Sequence, residues 1–415
     1  MTQNTLTADI IAKEAVMILD NNLVMAKQVF RGYENEFDKK VNGYDVGDTI
    51  SIRKPTDFTV RDGAVMAAQD VKEGKTSLTV NKRKGVDFKF SSQDLTLKIG
   101  ELSERVIKPA MVQLANQIDS DLMALYASVP QWAGTPGQKV NSYADFAAAP
   151  EMLDNYAVPQ DGRSAVLSPA DHWGLLGSQT SLYIQDAAKG AYRNGSLGSI
   201  GGVDTYMAQN VPNLTTGSRS GSPVINGSIT TSTITYETVK DTNVQTIGIN
   251  TLGGATDTIK AGEVFTIAGV YAVNPVTKAK LDFLKQFVVT ADATATSNAA
   301  SLIISPAIIW SGAFQNVSVV GVTDLDGQAV TFMGSASTAY RQNMVFTRNA
   351  FALVSVPLVT PPGAVQVARE SYKGTNVRVI PVYDGINDVS SWRLDTLYGV
   401  KAIDPRLATR LSGAA

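Results

Sequence analysis

One histidine, His172, and no cysteine are all that this sequence offers for thiolate, redox or imidazole chemistry. Without cysteine there is no disulfide, iron–sulfur cluster, thiolate zinc site or Cys nucleophile, and a lone histidine excludes every multi-His metal site. His172 would have to act as general base in any serine-type triad, yet no G-x-S-x-G elbow occurs. Beside Trp173 and near a helix start, it reads as a surface or core-edge residue. Gly74-Lys75-Thr76 resembles the end of a phosphate-binding loop, but Gln69 stands where that loop needs its first glycine. Gly195, Gly198, Gly201 and Gly202 lack dinucleotide spacing and read as a surface loop. Asp324-Leu325-Asp326-Gly327 resembles part of a calcium loop, with Val322 and Met333 at two positions that must supply oxygen. Asp119 and Asp121, two apart on a helix, point to different faces and make no acid–base pair. The expectation is no enzyme, no cofactor and no metal.

Two features remain as candidates for contacts between molecules. Lys82-Arg83-Lys84 is the densest basic cluster; it reads either as a contact with acidic groups on a neighbouring subunit or as a solvated strand edge guarded against aggregation. Pro109 interrupts a long helical pattern, which predicts a kink or break there, with Pro109 in the first turn of the second half.

These residues are set in a chain of 415, too long for one ordinary core and suggestive of two or three domains. Hydrophobic residues make up 44%, which is ample for packed cores, and mean hydropathy is −0.01. Charged residues are only 18%, against roughly 25% in a typical globular protein. Thirty-six Lys and Arg against 38 Asp and Glu leave a net charge of −2. Such a surface repels its own copies weakly, and it lacks the basic field that a free-standing nucleic-acid binder needs. No stretch approaches the ~18 apolar residues of a membrane span. Residues 1–23 lack the pattern of a secretory leader, so a soluble protein made in a cytoplasm is expected.

Ile10, Ile11, Ala15, Ile18, Leu19 and Leu23 form a helical stripe, predicting an amphipathic helix over 7–30. Alternating runs at 49–53, 77–81 and 86–90 enclose a polar excursion at 55–76, read together as an extended two-stranded arm over 47–90. Apolar residues from Leu95 to Val129 predict a long helix over 92–128. A short helix at 143–156, a buried strand at 164–167 and a helix opened by Ser168-Pro169 follow. From Thr215 to Ala300 there are 17 Thr and 6 Ser, with short β-branched runs that include Ile234-Thr235-Tyr236. Strands at that spacing indicate a small all-β barrel or sandwich, roughly 222–338, set within an α+β body.

This order of parts resembles the major capsid (coat) proteins of tailed bacteriophages, most of all the short-tailed lambdoid branch, whose coat protein carries an inserted β-barrel domain. The pieces that carry the resemblance run in order along the chain. They are Asp94-Leu95 through Leu114-Ala115-Asn116 to Asp121-Leu122, then Gly201-Gly202-Val203 leading to Asn210-Val211-Pro212. Gly262-Glu263-Val264-Phe265-Thr266-Ile267-Ala268-Gly269-Val270 follows, then Arg341-Gln342-Asn343-Met344-Val345-Phe346 with Asn349-Ala350-Phe351, and finally Arg393-Leu394-Asp395 with Leu397-Tyr398-Gly399-Val400. The glycine-rich loop at 195–202 and the low charge of the insert depart from the pattern.

The resemblance implies the tailed-phage major capsid fold. Its parts would be an N-terminal helical arm (1–46), an extended β arm (47–91), a spine helix with peripheral domain (92–142), an axial domain (143–221), the inserted β-barrel (222–338), and a return to axial and peripheral domains (339–415). It implies a structural protein whose copies form pentamers and hexamers of an icosahedral shell. Partners would be further copies, a scaffolding protein and a portal. The shell would enclose double-stranded DNA without sequence-specific binding, touch no membrane, and expand on packaging. The place would be the virion capsid, built in the bacterial host cytoplasm. The competing expectation is a surface adhesin or tail-associated binding protein with the Thr-rich β module as its recognition head.

Overall fold

In the computed structural model the described residues are 8–37, 40–41, 44–45, 47–61, 63–66, 68–91, 103–179, 197–361 and 367–414. They divide into two compact units, one of residues 1–51, 77–122 and 351–401, the other of 52–76, 123–350 and 402–415.

The first unit is a five-stranded sheet with helices. Its longest strand, Val389–Ala402, is hydrogen-bonded to neighbours on both sides, and Thr375–Asp384 leads on to the outer strand Ala368–Tyr372. Lys82–Ser91 pairs antiparallel with Val389–Ala402 over ten residues, from Ser91 opposite Val389 to Lys82 opposite Tyr398. The arm expected over 47–90 therefore ends near Val80. Its outer runs, Thr49–Arg53 and Lys75–Thr79, do pair with each other, but the third run belongs to the sheet. Pairing across some 300 residues leaves no trace in local alternation.

The N-terminal helix is Ala8–Asn22, shorter than the 7–30 expected, and its buried face carries Ile11, Ala12, Ala15, Val16 and Leu19. It stops because Asp119, buried on the helix Lys108–Met123, accepts the amides of Val24 at 2.7 Å and Ala26 at 3.0 Å. Those two donors open a separate turn, Met25–Gln28. Burial raises the pKa of Asp119 while the two amide donors work against it. Of the helix expected over 92–128, the part at 92–102 lies outside the described residues. A π-helical turn, Ser103–Ile107, precedes Lys108–Met123, and Ala124–Ser128 ends the run as 3-10 helix.

The second unit has a six-stranded mixed sheet in the order Trp132–Ala133, Ala408–Leu411, Asn343–Thr347, Arg163–Leu167, Val203–Met207, Ser199–Ile200. Helices Tyr143–Asn155 and Pro169–Gln179 accompany it. A capping box fixes the first: the Ser142 hydroxyl accepts the Asp145 amide at 3.1 Å, while the Asp145 carboxylate accepts the Ser142 amide. Its core joins Phe146, Leu153, Leu167, Leu175 and Val345.

Between Asn213–Thr215 and Ala339–Arg341, which pair antiparallel, the chain builds a separate seven-stranded sheet. The order is Gly221–Ile225, Gln245–Leu252, Ala300–Ser305, Lys280–Val289, Val264–Val273, Val317–Val319, with Val330–Phe332 also on Val264–Val273. The ends of the path come together. Val224 bridges to Ala329, Ile225 donates to the Gln328 carbonyl at 2.9 Å, and Gly327 donates to the Ile225 carbonyl at 3.0 Å. Every second residue of Gln245–Leu252 turns inward in its first half, giving a core with Ile247, Ile249, Phe265, Phe287, Leu302 and Ile304. The expected strand at 234–236 is not formed. Tyr236 instead opens a short helix, Tyr236–Val239, and its ring stacks on Phe314 at 3.4 Å. Packing overrides the β-branched propensity there.

Candidate assembly interface

The excursion between the arm strands buries little. Val60 is 97% exposed, Val65 84% and Met66 82%, and Phe58 and Val71 are also open to solvent. Hydrogen bonds within the excursion give it shape: Gln69 Oε1 accepts from the Thr59 amide at 2.9 Å, and Gln69 Nε2 donates to the Thr59 carbonyl at 2.6 Å.

The root of the excursion is clamped in its own unit. Lys54 Nζ donates to the Asp241 carbonyl at 3.0 Å, the Lys75 amide donates to the Asp241 carboxylate at 2.8 Å, and Lys72 lies 3.7 Å from Glu237. Asp57 is 3.8 Å from Arg406 and 3.9 Å from Lys278. Gly74 is glycine because a Cβ there would sit 2.3 Å from the Lys240 carbonyl oxygen. Gly74-Lys75-Thr76 is thus a close-approach turn of a clamp, with no strand–loop–helix around it.

The structure separates the three basic residues. Lys82 pairs with Asp121 at 3.0 Å, and Asp121 also accepts the Tyr398 hydroxyl at 2.6 Å. Burial first, and Asp121 second, push the Tyr398 pKa upward. Arg83 donates to Asp395 at 2.7 Å. The cluster therefore lies on a sheet strand: Lys82 and Arg83 each pair with a carboxylate of the same chain, and Lys84, like Arg83, is exposed. Pro109 is exposed at the second position of Lys108–Met123, where its missing amide would have had no intrahelical partner in an isolated helix. The π-helical turn before it widens the backbone, so the expected break takes the form of a loosened turn.

Asp395 is only 3% exposed yet receives three guanidiniums: Arg83 and Arg378 at 2.7 Å and Arg393 at 2.9 Å. Burial by itself would raise its pKa, and the hydrogen bonds from Arg83, Arg378 and Arg393 hold it below the usual carboxylate range. A Cβ on Gly85, opposite Asp395 in the ladder, would lie 2.6 Å from a carboxylate oxygen.

Two buried cations in the second unit have no carboxylate against them. Lys285 Nζ lies 3.4 Å from the Tyr156 hydroxyl and 4.5 Å over its ring, and burial lowers the lysine pKa to about 7. Arg410 donates to the Gly262 carbonyl at 2.6 Å and to Gln342 at 3.2 Å, with Tyr126 and Trp132 on its faces. Burial lowers its pKa to about 9. Neither was singled out by sequence, since nothing local marks a lysine or arginine as buried.

The residues that sequence reading set aside stay without a catalytic setting. His172 is buried edge-on to Trp173. Asp324 uses its carboxylate on the Ser228 hydroxyl and the Ile229 and Asp326 amides, as in a turn. Gly201 and Gly202 turn the chain between paired strands, and Gly195 lies outside the described residues. Among the described residues no cluster of three or more His, Asp or Glu could hold a metal, and no helix is long and apolar enough to cross a membrane.

Large apolar side chains left in water on the excursion suit a protein that associates with further copies. Residues 1–413 match the family described as P22 coat protein - gene protein 5, and the chain belongs to that family. It is a major capsid protein of the virion, not an enzyme: its copies build an icosahedral shell, and the adhesin reading falls away. Among curated proteins none matches. Similar solved structures include Mycobacterium phage Che8 (15% identity, 94% of this chain and 90% of that one covered, TM-score 0.47). The capsid of Cyanophage P-SCSP1u shares 11% identity over 89% and 85% of the chains, with TM-score 0.42. The mature capsid of bacteriophage PhiM1 shares 12% over 88% and 82%, with TM-score 0.40. The family assignment rests on the match along nearly the whole chain.

Proposed function

We propose that the shell is built by the excursion at 52–76 reaching onto an adjacent copy, as pentamers and hexamers, with a scaffolding protein and a portal, around packaged double-stranded DNA. The observation that supports this is the set of large apolar residues, Phe58, Val60, Val65, Met66 and Val71, left in water on a projecting segment. The segment's root is tied to its own unit, so only its outer part is available to a neighbour. Lys84 adds a positive charge for an acidic surface, Pro109 sets where the spine helix begins, and the module at 222–338 is a barrel domain of the short-tailed lambdoid type. The test is electron microscopy of the full chain co-expressed with scaffolding protein, with the double variant Val60→Asp, Val65→Asp beside it. Shells from the native chain and folded, unassembled subunits from the variant are expected. Normal shells from the variant would reject the arm as the contact.

A further inference from the structure

The ribbon formed by Val264–Val273 and Lys280–Val289 belongs to the β module, yet its far half lies on the body of the second unit. Ala272, Leu281 and Phe283 pack with Phe146, Leu153 and Leu175 of the body, and the Phe283 ring meets Tyr156 edge-on at 6.0 Å. Asn274 Nδ2 donates to the Asn155 carbonyl at 3.1 Å. Nearer the module, Gln286 Oε1 accepts the Trp132 amide at 2.6 Å, and Gln286 Nε2 donates to the Trp132 carbonyl at 2.9 Å. One side chain thus holds both backbone groups of Trp132, as a neighbouring strand would.

The ribbon carries its own break. Thr266 stands opposite Gln286, but the next pair is Tyr271 opposite Leu284. Residues 267–270 therefore bulge against the single residue Lys285, and a bulge bends the strand that holds it. Gly269, inside it, turns with φ +76°.

Lys285 stands at this break and on the seam. Its amine is buried, 3.4 Å from the Tyr156 hydroxyl and 4.5 Å over that ring, with no carboxylate against it among the described residues. The charged groups nearby are committed elsewhere. Arg406 repels the amine and is itself held by Asp404, while Asp57 lies between Arg406 and Lys278. Asp154, near the end of the helix that Tyr156 follows, is taken by Arg163. Lys280 and Asp282 alternate onto the other face of the strand and are exposed.

We propose that the ribbon is a proton-operated strap: protonation of Lys285 lifts its far half off the body about the bulge at 267–270, and loss of that proton seats it again. Burial opposes a charge at this place. The Tyr156 ring attracts a cation, but burial prevails and lowers the lysine pKa to about 7 from 10.5. In the lifted form the amine returns to water, so that form binds more protons between those two values. Lifting is therefore favoured as pH falls from 10.5, and the effect levels off below about 7.

The experiment is hydrogen–deuterium exchange of the full-length subunit at pH 9 and pH 6, corrected for intrinsic exchange rates. Fragments covering 130–134 and 280–286 report the seam; 245–252 and 163–167 report the interiors of module and body. The seam is expected to exchange ahead of both interiors and to lose protection at least tenfold from pH 9 to pH 6. Lys285→Met should keep the seam closed at both pH values, with thermal melting as the check that it folds. The native series stands by itself if that variant does not fold. The proposal is overturned if the seam exchanges only together with the interiors, if its protection is the same at both pH values, or if folded Lys285→Met keeps the native dependence.

Discussion

The β module and the five-stranded sheet solve the same problem in opposite ways. The module brings the two ends of its strand path together through Val224 and Ala329 and fills the interior with Phe265, Phe287, Ile247 and Leu302. The five-stranded sheet leaves one edge of Lys82–Ser91 without a partner strand among the described residues. It also carries a charged row, Arg369, Arg378 and Asp395, across three of its strands. A region that closes on itself has settled its hydrogen bonds within one chain. A region that stays open leaves some of them to solvent. The module therefore spends its apolar residues on its own interior, while the sheet keeps an edge open to solvent.

Substitutions can test this division. The largest loss of subunit stability should come from Phe287→Ala, where a fully buried ring leaves a cavity; about 3–5 kcal/mol is expected in urea unfolding. Lys285→Met should come next and with the opposite sign. The folded-state pKa of Lys285 is depressed from 10.5 to about 7, so between those values the unfolded chain binds the proton and the folded chain does not. Native stability then rises with pH across that window. The methionine variant should remove the rise and be more stable by on the order of 3 kcal/mol at pH 6, a gain that vanishes toward pH 10.

In the open sheet the effects on folding should be smaller and those on assembly larger. Arg83→Ala removes one half-exposed partner of Asp395 and should cost about 1 kcal/mol, because two guanidiniums remain. Lys84→Glu should change unfolding by less than about 0.5 kcal/mol yet reduce the yield of shells seen by electron microscopy. Smallest of all is Pro109→Ala. Exposed in the first turn, it should move the melting midpoint by less than about 2 °C, while tubes or wrongly sized shells would show that the loosened turn at 103–107 shapes curvature. A folding defect from Lys84→Glu larger than that from Arg83→Ala would break the comparison.

Much of the layout was legible because its signals are local. The helical stripe from Val106 to Leu122, the strand run at 164–167 and the alternation of 245–252 each follow from neighbours a few residues apart. The lack of Cys and the single His ruled out most catalysis before any geometry was known. What stayed hidden depends on residues far apart in sequence. Asp119 ends a helix some 95 positions earlier through the Val24 amide. Lys82–Ser91 finds its partner strand some 300 residues later. The row of Arg369, Arg378 and Asp395 exists only because ladder register lines those strands up, and no motif records register.

The pairing of Asn213–Thr215 with Ala339–Arg341 has a practical consequence. Antiparallel partners stand about 5 Å apart, so the backbone departs toward the module and comes back through a gap hardly wider than one residue. The body also leans on what lies between those strands: Arg410 donates to the Gly262 carbonyl, Lys285 lies over the Tyr156 ring, and the Lys75 amide donates to Asp241. Exchanging the whole module for a foreign polypeptide would strip those contacts, so cargo for display in many identical copies belongs in an exposed turn of the module, such as the one around Val276, which is 73% exposed between two long strands.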